Sequence, residues 1–402
     1  MQGPVNRPEG AKGNRAAYLV VLAGICAAMH IWKLPPALPE LQREVGLSLV
    51  DSGFLLSLVQ MAGMLLGLLV GLFAEKIGLR RCVLMGLSLL GVASALGTIL
   101  DSRVALFLFR AIEGCGVLMV TMPAPGLVRR LVAPAYLTRV LGVWGSYMPI
   151  GTVIILLFGS WVLSMEDWQA LWLLMAGLTF VMLVAVAVWV PPDALQAAVP
   201  QENKHEDTSW AMVKTTLASR KVWLIALCFG VYSGQWTAVI GFLPSIYVAG
   251  GISGTTAGVM TAIVGGANAI GNLGAGYFLH RRVPVRTLLY TGFAFMAAGA
   301  FVAFALDVSA TVKFIAVFLF SAVGGLIPTT LFLLCIRFAP SVRTTSTSVG
   351  WMQQCSAFGQ FVGPPIVAWI ATLTGGWQWT WVATGTCAAV GIVIATRLAK
   401  AI

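Results

Sequence analysis

The sequence predicts an all-α membrane protein in which twelve transmembrane helices form two pseudo-symmetric six-helix bundles. Three observations predict it. First, 59% of the 402 residues are hydrophobic and only 10% are charged, with a mean hydropathy of +0.91. Soluble domains carry about 25% charged residues, so lipid must be the solvent for most of this chain. Second, the chain holds twelve apolar runs near the roughly 20 residues that cross a bilayer. They fall near 16–37, 51–72, 83–100, 104–128, 139–163, 169–191, 221–246, 255–277, 287–305, 312–336, 346–371 and 379–397. Third, the chain repeats itself. Gly71, Phe73, Lys76 and Arg81 return as Gly276, Phe278, Arg281 and Arg286, each displaced by 205 residues. The same displacement maps Leu38 and Pro39 onto Leu243 and Pro244, and Gly53 onto Gly258. Parallel repeats of this kind build a site at the seam between their halves.

The halves are predicted at residues 1–191 and 221–402, joined by a linker at 192–220. That linker opens on Pro191 and Pro192 and carries Asp193, Glu202, His205, Glu206 and Asp207. The spacing of these groups fits no metal pattern, and they read as a solvated loop. The first 15 residues are polar, and the apolar run after them exceeds a signal-peptide core, so it reads as a retained first span.

Charge placement predicts orientation. Twenty of the 25 Lys and Arg fall at the ends of spans that share a face with the N-terminus. The positive-inside rule then puts both termini in the cytoplasm of a bacterial-type inner membrane. Basic residues scattered over short loops at one face do not form a nucleic-acid surface, despite a formal net charge of +11. The seven cysteines lie in or beside spans without CxxC spacing and read as apolar filler. No metal or cofactor is expected, and the bilayer is the obligatory partner.

Local signals justify the elements in turn. Ser48-Leu49-Val50-Asp51 has capping-box spacing at the start of the second span, so Asp51 reads as structural. Gly63, Gly67 and Gly71 recur every four residues there, a face on which helices approach closely. Trp161, Trp168, Trp377, Trp379 and Trp381 cluster at span ends, as interfacial anchors do.

Polar residues inside spans are expensive and mark candidate sites. In the fourth span Arg110 and Glu113 sit three apart and share a face. They fit either an ion pair that steadies the helix, or an anion contact beside a proton carrier. His30 and Lys33 are likewise three apart in the first span. His30 is a second candidate proton carrier. Lys33 either snorkels to the outer interface or joins His30 and Arg110 in a cationic surface. The second half replaces His30 and Lys33 with Gln235 and Ala238. Its polarity comes from Tyr232, Gln235, Trp236, Asn268 and Asn272, then Trp351, Gln353, Gln354 and Gln360. Three glutamines within eight residues need hydrogen-bond partners, from a wet cavity or from a neighbouring helix. Tyr147 completes the candidate substrate-binding set.

The segment Gly71-Leu72-Phe73-Ala74-Glu75-Lys76-Ile77-Gly78-Leu79-Arg80-Arg81 resembles the G-x-L-A-D-R-x-G-R-[KR] signature of the major facilitator superfamily. It departs by Phe for Leu, Glu for Asp, Lys for Arg and Leu at the first basic position. The resemblance covers nearly the whole chain and implies alternating-access secondary transport by the major facilitator fold. It further implies a conformational latch made of Gly71, Glu75, Lys76, Gly78, Arg80 and Arg81, with Arg129 and Arg130 as partners. The run Leu243-Pro244-Ser245-Ile246-Tyr247, together with Gly324, Gly325 and Pro328, is similar to the cyanate and nitroimidazole transporter branch. The fifth span lacks the adjacent Gly-Pro of many drug/proton antiporters.

His30, Lys33 and Arg110 outnumber Glu113 among the ionisable residues of the spans. A monomer moving a small inorganic or organic anion, with protons as a coupling partner, is the favoured reading. A proton-coupled exporter of hydrophobic or cationic compounds is the alternative. An enzyme is not expected, because His30, His205 and His280 lie at separate depths, and no phosphate loop for ATP is present.

Overall fold

The computed structural model describes residues 10–99, 102–193, 207–341 and 344–401. Helices dominate, and proline, glycine and short polar residues decide where each starts and breaks. The first crossing is α1 (Gly10–Trp32) followed by α2 (Leu34–Glu44). The break falls at Lys33 because Pro35 and Pro36 supply no N–H to the preceding turn. The second crossing is α3 (Leu49–Leu58) and α4 (Met61–Ile77). Its start carries the expected capping box, Ser48 and Asp51 each accepting the other's backbone N–H at 3.1 and 3.0 Å. Then follow α5 (Leu79–Leu96), α6 (Arg103–Thr121), α7 (Ala124–Leu131), α8 (Pro134–Trp144), α9 (Tyr147–Val162) and α10 (Trp168–Trp189). Ser102 and Asp167 cap α6 and α10.

The second half holds α11 (Asp207–Ala218), α12 (Arg220–Ala249), α13 (Gly254–His280), α14 (Val285–Ala300), α15 (Ala310–Gly324), α16 (Leu326–Arg337), α17 (Thr345–Thr374) and α18 (Thr380–Ala401). Among the described residues, eleven segments are long and apolar enough to cross a membrane. The twelfth crossing is α13, whose 27 residues span about 40 Å at 1.5 Å per residue. Its glycines and its two asparagines lower its hydropathy rather than its reach.

The predicted linker contains a helix, α11, over Asp207–Ala218. Within α11, Val213 and Thr216 are buried, and the Thr216 hydroxyl meets that of Thr347 on α17 at 2.8 Å. Asp193 also departs from the solvated reading. Its carboxylate accepts the backbone N–H of Arg80 at 3.0 Å and of Arg81 at 3.1 Å, capping α5 from across the sequence. Gly78 makes room for it: its φ of 103° disfavours any side chain, and a Cβ there would strike the Asp193 carboxylate. Glu202, His205 and Glu206 lie outside the described residues.

Within each half, small residues bring backbones together. Gly230 and Gly234 on α12 face Gly359 and Gly363 on α17 so closely that a Cβ at Gly359 would overlap the Gly230 carbonyl. Between the halves, α17 runs along α3 and α4, α13 packs on α9, and α2 packs on α12. The α2, α9 and α13 contacts gather at the end of the molecule away from the chain termini. There Gly53 abuts the Pro364 carbonyl and Gly258 abuts Ser160.

Candidate functional site

The proline break after α1 creates an unmet acceptor. Pro35 cannot donate to the Ile31 carbonyl four residues earlier, so that oxygen needs another partner. Arg110 of α6 supplies it. Its Nη2 donates to Ile31 O at 2.6 Å, its Nη1 to His30 O at 2.6 Å, and its Nε to Leu55 O at 3.4 Å. A cation at the carbonyl end of α1 is also favoured by the helix dipole. Nη1 reaches Glu113 Oε2 as well, at 2.9 Å, in the predicted i,i+3 pair.

Lys33 does not snorkel. It is fully buried inside the first half, and its ammonium meets Glu113 Oε1 at 2.5 Å and Ser94 Oγ at 2.7 Å. Its third acceptor is His30 Nδ1 at 3.4 Å. The Trp172 ring lies 4.3 Å from Nζ, close enough for a cation–π contact.

Proton positions follow from the neighbours. The single hydroxyl proton of Thr179 goes to Met175 O at 2.7 Å, so Thr179 Oγ1 accepts from His30 Nε2–H at 2.7 Å. Nδ1 is then the bare nitrogen of a neutral ring, facing Lys33 and lying 3.5 Å from Glu113 Oε1. Ser94 likewise donates to Trp172 O at 3.0 Å and accepts from Lys33. Three lysine protons meet three acceptors. Two cations face one carboxylate, so the buried cluster keeps one surplus positive charge.

The candidates of the second half lie elsewhere. Tyr232 Oη accepts from Asn268 Nδ2 at 2.8 Å, and Trp236 Nε1 donates to Ser321 Oγ at 3.0 Å. Asn268 also accepts from Asn272 Nδ2 at 2.9 Å. Gln235 is buried, and neither end of its amide has a hydrogen-bond partner. Trp236 meets Trp32 edge to face across the seam, ring centroids 5.3 Å apart, and the buried Trp32 N–H is also unpartnered. Tyr147 stacks on Trp144 at 4.4 Å, and Trp351 packs on Trp223 at 4.7 Å.

The glutamines of α17 bond mainly across the seam. Gln354 Nε2 donates to Met64 O at 2.8 Å while its Oε1 accepts from Leu68 N–H at 3.1 Å, so one amide clasps both ends of a single turn of α4. Gln360 Oε1 accepts from Gln60 at 3.1 Å and from Thr237 at 3.2 Å. Gln353 is half-buried beside them. Of the latch residues, Lys76 and Arg129 are exposed, and Arg80 Nη2 donates to Ala187 O at 2.6 Å. The backbone N–H groups of Arg80 and Arg81 share the Asp193 cap beside Gly78, and Arg130 lies in the last turn of α7. The surroundings of Gly71 and the Glu75 side chain lie outside the described residues.

A family model described as Major Facilitator Superfamily matches residues 20–357. The chain belongs to the Major Facilitator Superfamily. It is 24% identical over 261 residues to the cyanate transport protein of Escherichia coli, covering 63% of this chain and 64% of that protein. It is 25% identical over 272 residues to the 2-nitroimidazole transporter of the same organism, covering 65% and 66%. The matched stretch thus spans just under two thirds of each relative. A bacterial homolog of the human lysosomal transporter Spinster, in an inward-facing and unoccupied conformation, superposes with a TM-score of 0.80. The match covers 97% of both chains at 14% identity, which shows the shared fold.

Proposed function

We propose that this protein is a secondary transporter that works by alternating access and moves a small inorganic or organic anion, coupled to protons. The observation that carries the reading is the surplus positive charge of the Lys33–Arg110–Glu113–His30 cluster, buried inside the first half among α1, α5, α6 and α10. At an effective dielectric of about 20, one unit charge attracts an anion roughly 8 Å away by about 2 kcal/mol and repels a cation by as much. The names of the two bacterial relatives support a small solute, cyanate in one case and a nitroimidazole in the other.

Glu113 and His30 are the proposed proton carriers. A proton on His30 Nδ1 turns an acceptor into a donor aimed at the Lys33 ammonium, so Lys33 must leave that corner. Proton uptake would in this way loosen Lys33 and change what the seam offers the substrate. Tyr147, Tyr232, Gln235, Trp236, Asn268, Trp351, Gln353 and Gln354 are the proposed neutral lining, and the Gly71–Arg81 segment with Arg129 and Arg130 is the proposed latch. Basic residues clustered at the terminus-bearing end support a cytoplasmic placement of that end, in a bacterial-type plasma membrane.

Uptake of radiolabelled cyanate, nitrate and small carboxylates into proteoliposomes tests this. Lys33→Met removes the surplus charge, and transport efficiency for anions should fall about 30-fold, as about 2 kcal/mol requires. Unchanged anion uptake in that variant would overturn the reading. Faster movement of cationic dyes would favour the second one, an exporter of hydrophobic or cationic compounds, to which the Trp32–Trp236 contact lends support.

A further inference from the structure

Beyond Asp207 the sequence contains one acidic residue, Asp307, against eleven Lys and Arg. Asp307 lies in the turn between α14 and α15, at the end away from the termini. After Asp207, which opens α11, the terminus-bearing end of the second half therefore carries basic side chains and no acidic one. Topology signalling explains the basic residues but not the missing acids, since Asp and Glu contribute little to orientation.

One part of that end is shaped to receive something. A surface cavity of about 400 Å³ is lined by Pro284, Arg286, Thr287, Tyr290 and Thr291 at the start of α14. The neighbouring α18 closes one side through a 2.6 Å hydrogen bond between the Tyr290 and Thr396 hydroxyls. Arg286 lies over the Tyr290 ring at 5.1 Å, which holds its guanidinium above the cavity. Arg397 directly follows Thr396, Lys400 lies one turn further, and both are exposed. Among the described residues none of these three cations pairs with a carboxylate. One to two turns deeper, the exposed side chains become apolar: Phe295 on α14, Val393 and Val390 on α18.

We infer that the groove between α14 and α18 is a binding site for the headgroup of an anionic phospholipid. The order of chemistry along the groove matches the ligand. Arginine and lysine at the rim face the phosphate, threonine and tyrosine hydroxyls face the glycerol and ester oxygens, and apolar side chains face the acyl chains. Basic pockets between transmembrane helices at the membrane surface recognise such headgroups, each Lys or Arg contributing about 1 kcal/mol.

Native mass spectrometry of the full-length protein in detergent, titrated with phosphatidylglycerol or phosphatidylcholine, tests the site. Wild type should retain phosphatidylglycerol in preference to phosphatidylcholine. The Arg286→Gln/Arg397→Gln double variant should bind it about 30-fold more weakly, the equivalent of about 2 kcal/mol for two basic groups. Arg103→Gln, at the far end of the molecule, should bind as wild type does. The unfolding midpoint of the double variant in phosphatidylcholine, measured alongside, should match wild type and so separates lost binding from lost folding. Equal retention of the two lipids, or undiminished retention by a folded double variant, would overturn the inference. So would displacement of the lipid by millimolar inorganic phosphate, which would mark a free-anion site instead.

Discussion

Replacing Glu113 with Gln removes the one buried carboxylate that faces both Lys33 and Arg110, at 2.5 and 2.9 Å. The substituted amide still fills the space, but it accepts at one end only and turns an NH2 toward the other cation, so a hydrogen bond is lost with the charge. It leaves two cations together in a site with no other buried counter-charge. Stranding a buried charge in this way costs about 3–5 kcal/mol. Lys33→Met has the opposite sign of consequence. It leaves Arg110 and Glu113 as a neutral pair, with Glu113 Oε1, the Ser94 hydroxyl and His30 Nδ1 each losing a donor but no charge left uncompensated, so its cost should be smaller, about 1–3 kcal/mol. The double variant restores one surplus charge, as in wild type. It should therefore be more stable than the sum of the single losses requires, with an interaction energy of about 1–3 kcal/mol. Unfolding of all four proteins in mixed micelles, monitored by tryptophan fluorescence, gives the cycle. Additive losses, or Lys33→Met being as damaging as Glu113→Gln, would refute the charge accounting.

Three further outcomes follow from other contacts. Gln354→Leu gives up two hydrogen bonds between the halves, each contributing about 1 kcal/mol; spin labels on α4 and α17 should report a population with those helices further apart at the terminus-bearing end, and an unchanged distance distribution would remove Gln354 from the clasp. Gly359→Ala drives a methyl group into the Gly230 carbonyl and should lower stability by about 1–3 kcal/mol, whereas Gly177→Ala, with open space around it, should be neutral in the same melt. Asp193→Ala uncaps α5 at a cost of about 1 kcal/mol, and hydrogen exchange at the Arg80 and Arg81 amides should speed up about fivefold, with no change counting against the cap.

Local pattern carried most of the architecture. Hydropathy and the 205-residue displacement suffice for the helical crossings, and the Ser48–Asp51 box is read from four residues. The i,i+3 spacings of His30 with Lys33 and of Arg110 with Glu113 brought four of the cluster's members forward. What the sequence could not supply was which of those pairs face each other. Ser94, Trp172 and Thr179 complete the cluster from α5 and α10, and nothing about a lone serine, tryptophan or threonine in a span distinguishes it from packing. Lys33 was open to two readings because a position near a span end permits snorkelling. The proline break at residues 35 and 36 instead turns the chain there and leaves the ammonium inside. Asp193 groups with its charged neighbours in the sequence because linker composition is a local property, while the α5 terminus it caps is 112 to 113 residues earlier. Gln354 shows the same limit: three glutamines in one span signal unmet hydrogen bonds, and only the packing of α17 on α4 shows who meets them.

Spin-label distances at the two ends of the seam, in proteoliposomes with and without cyanate across a pH gradient, test the central claim most directly. Labels at Glu166 and Thr255 report the end away from the termini, and labels at Arg139 and Arg281 report the other. Two rigid halves rocking about the seam predict reciprocal changes: one pair moves apart as the other closes. Distances that rise or fall together at both ends, or that ignore solute and gradient alike, would contradict it.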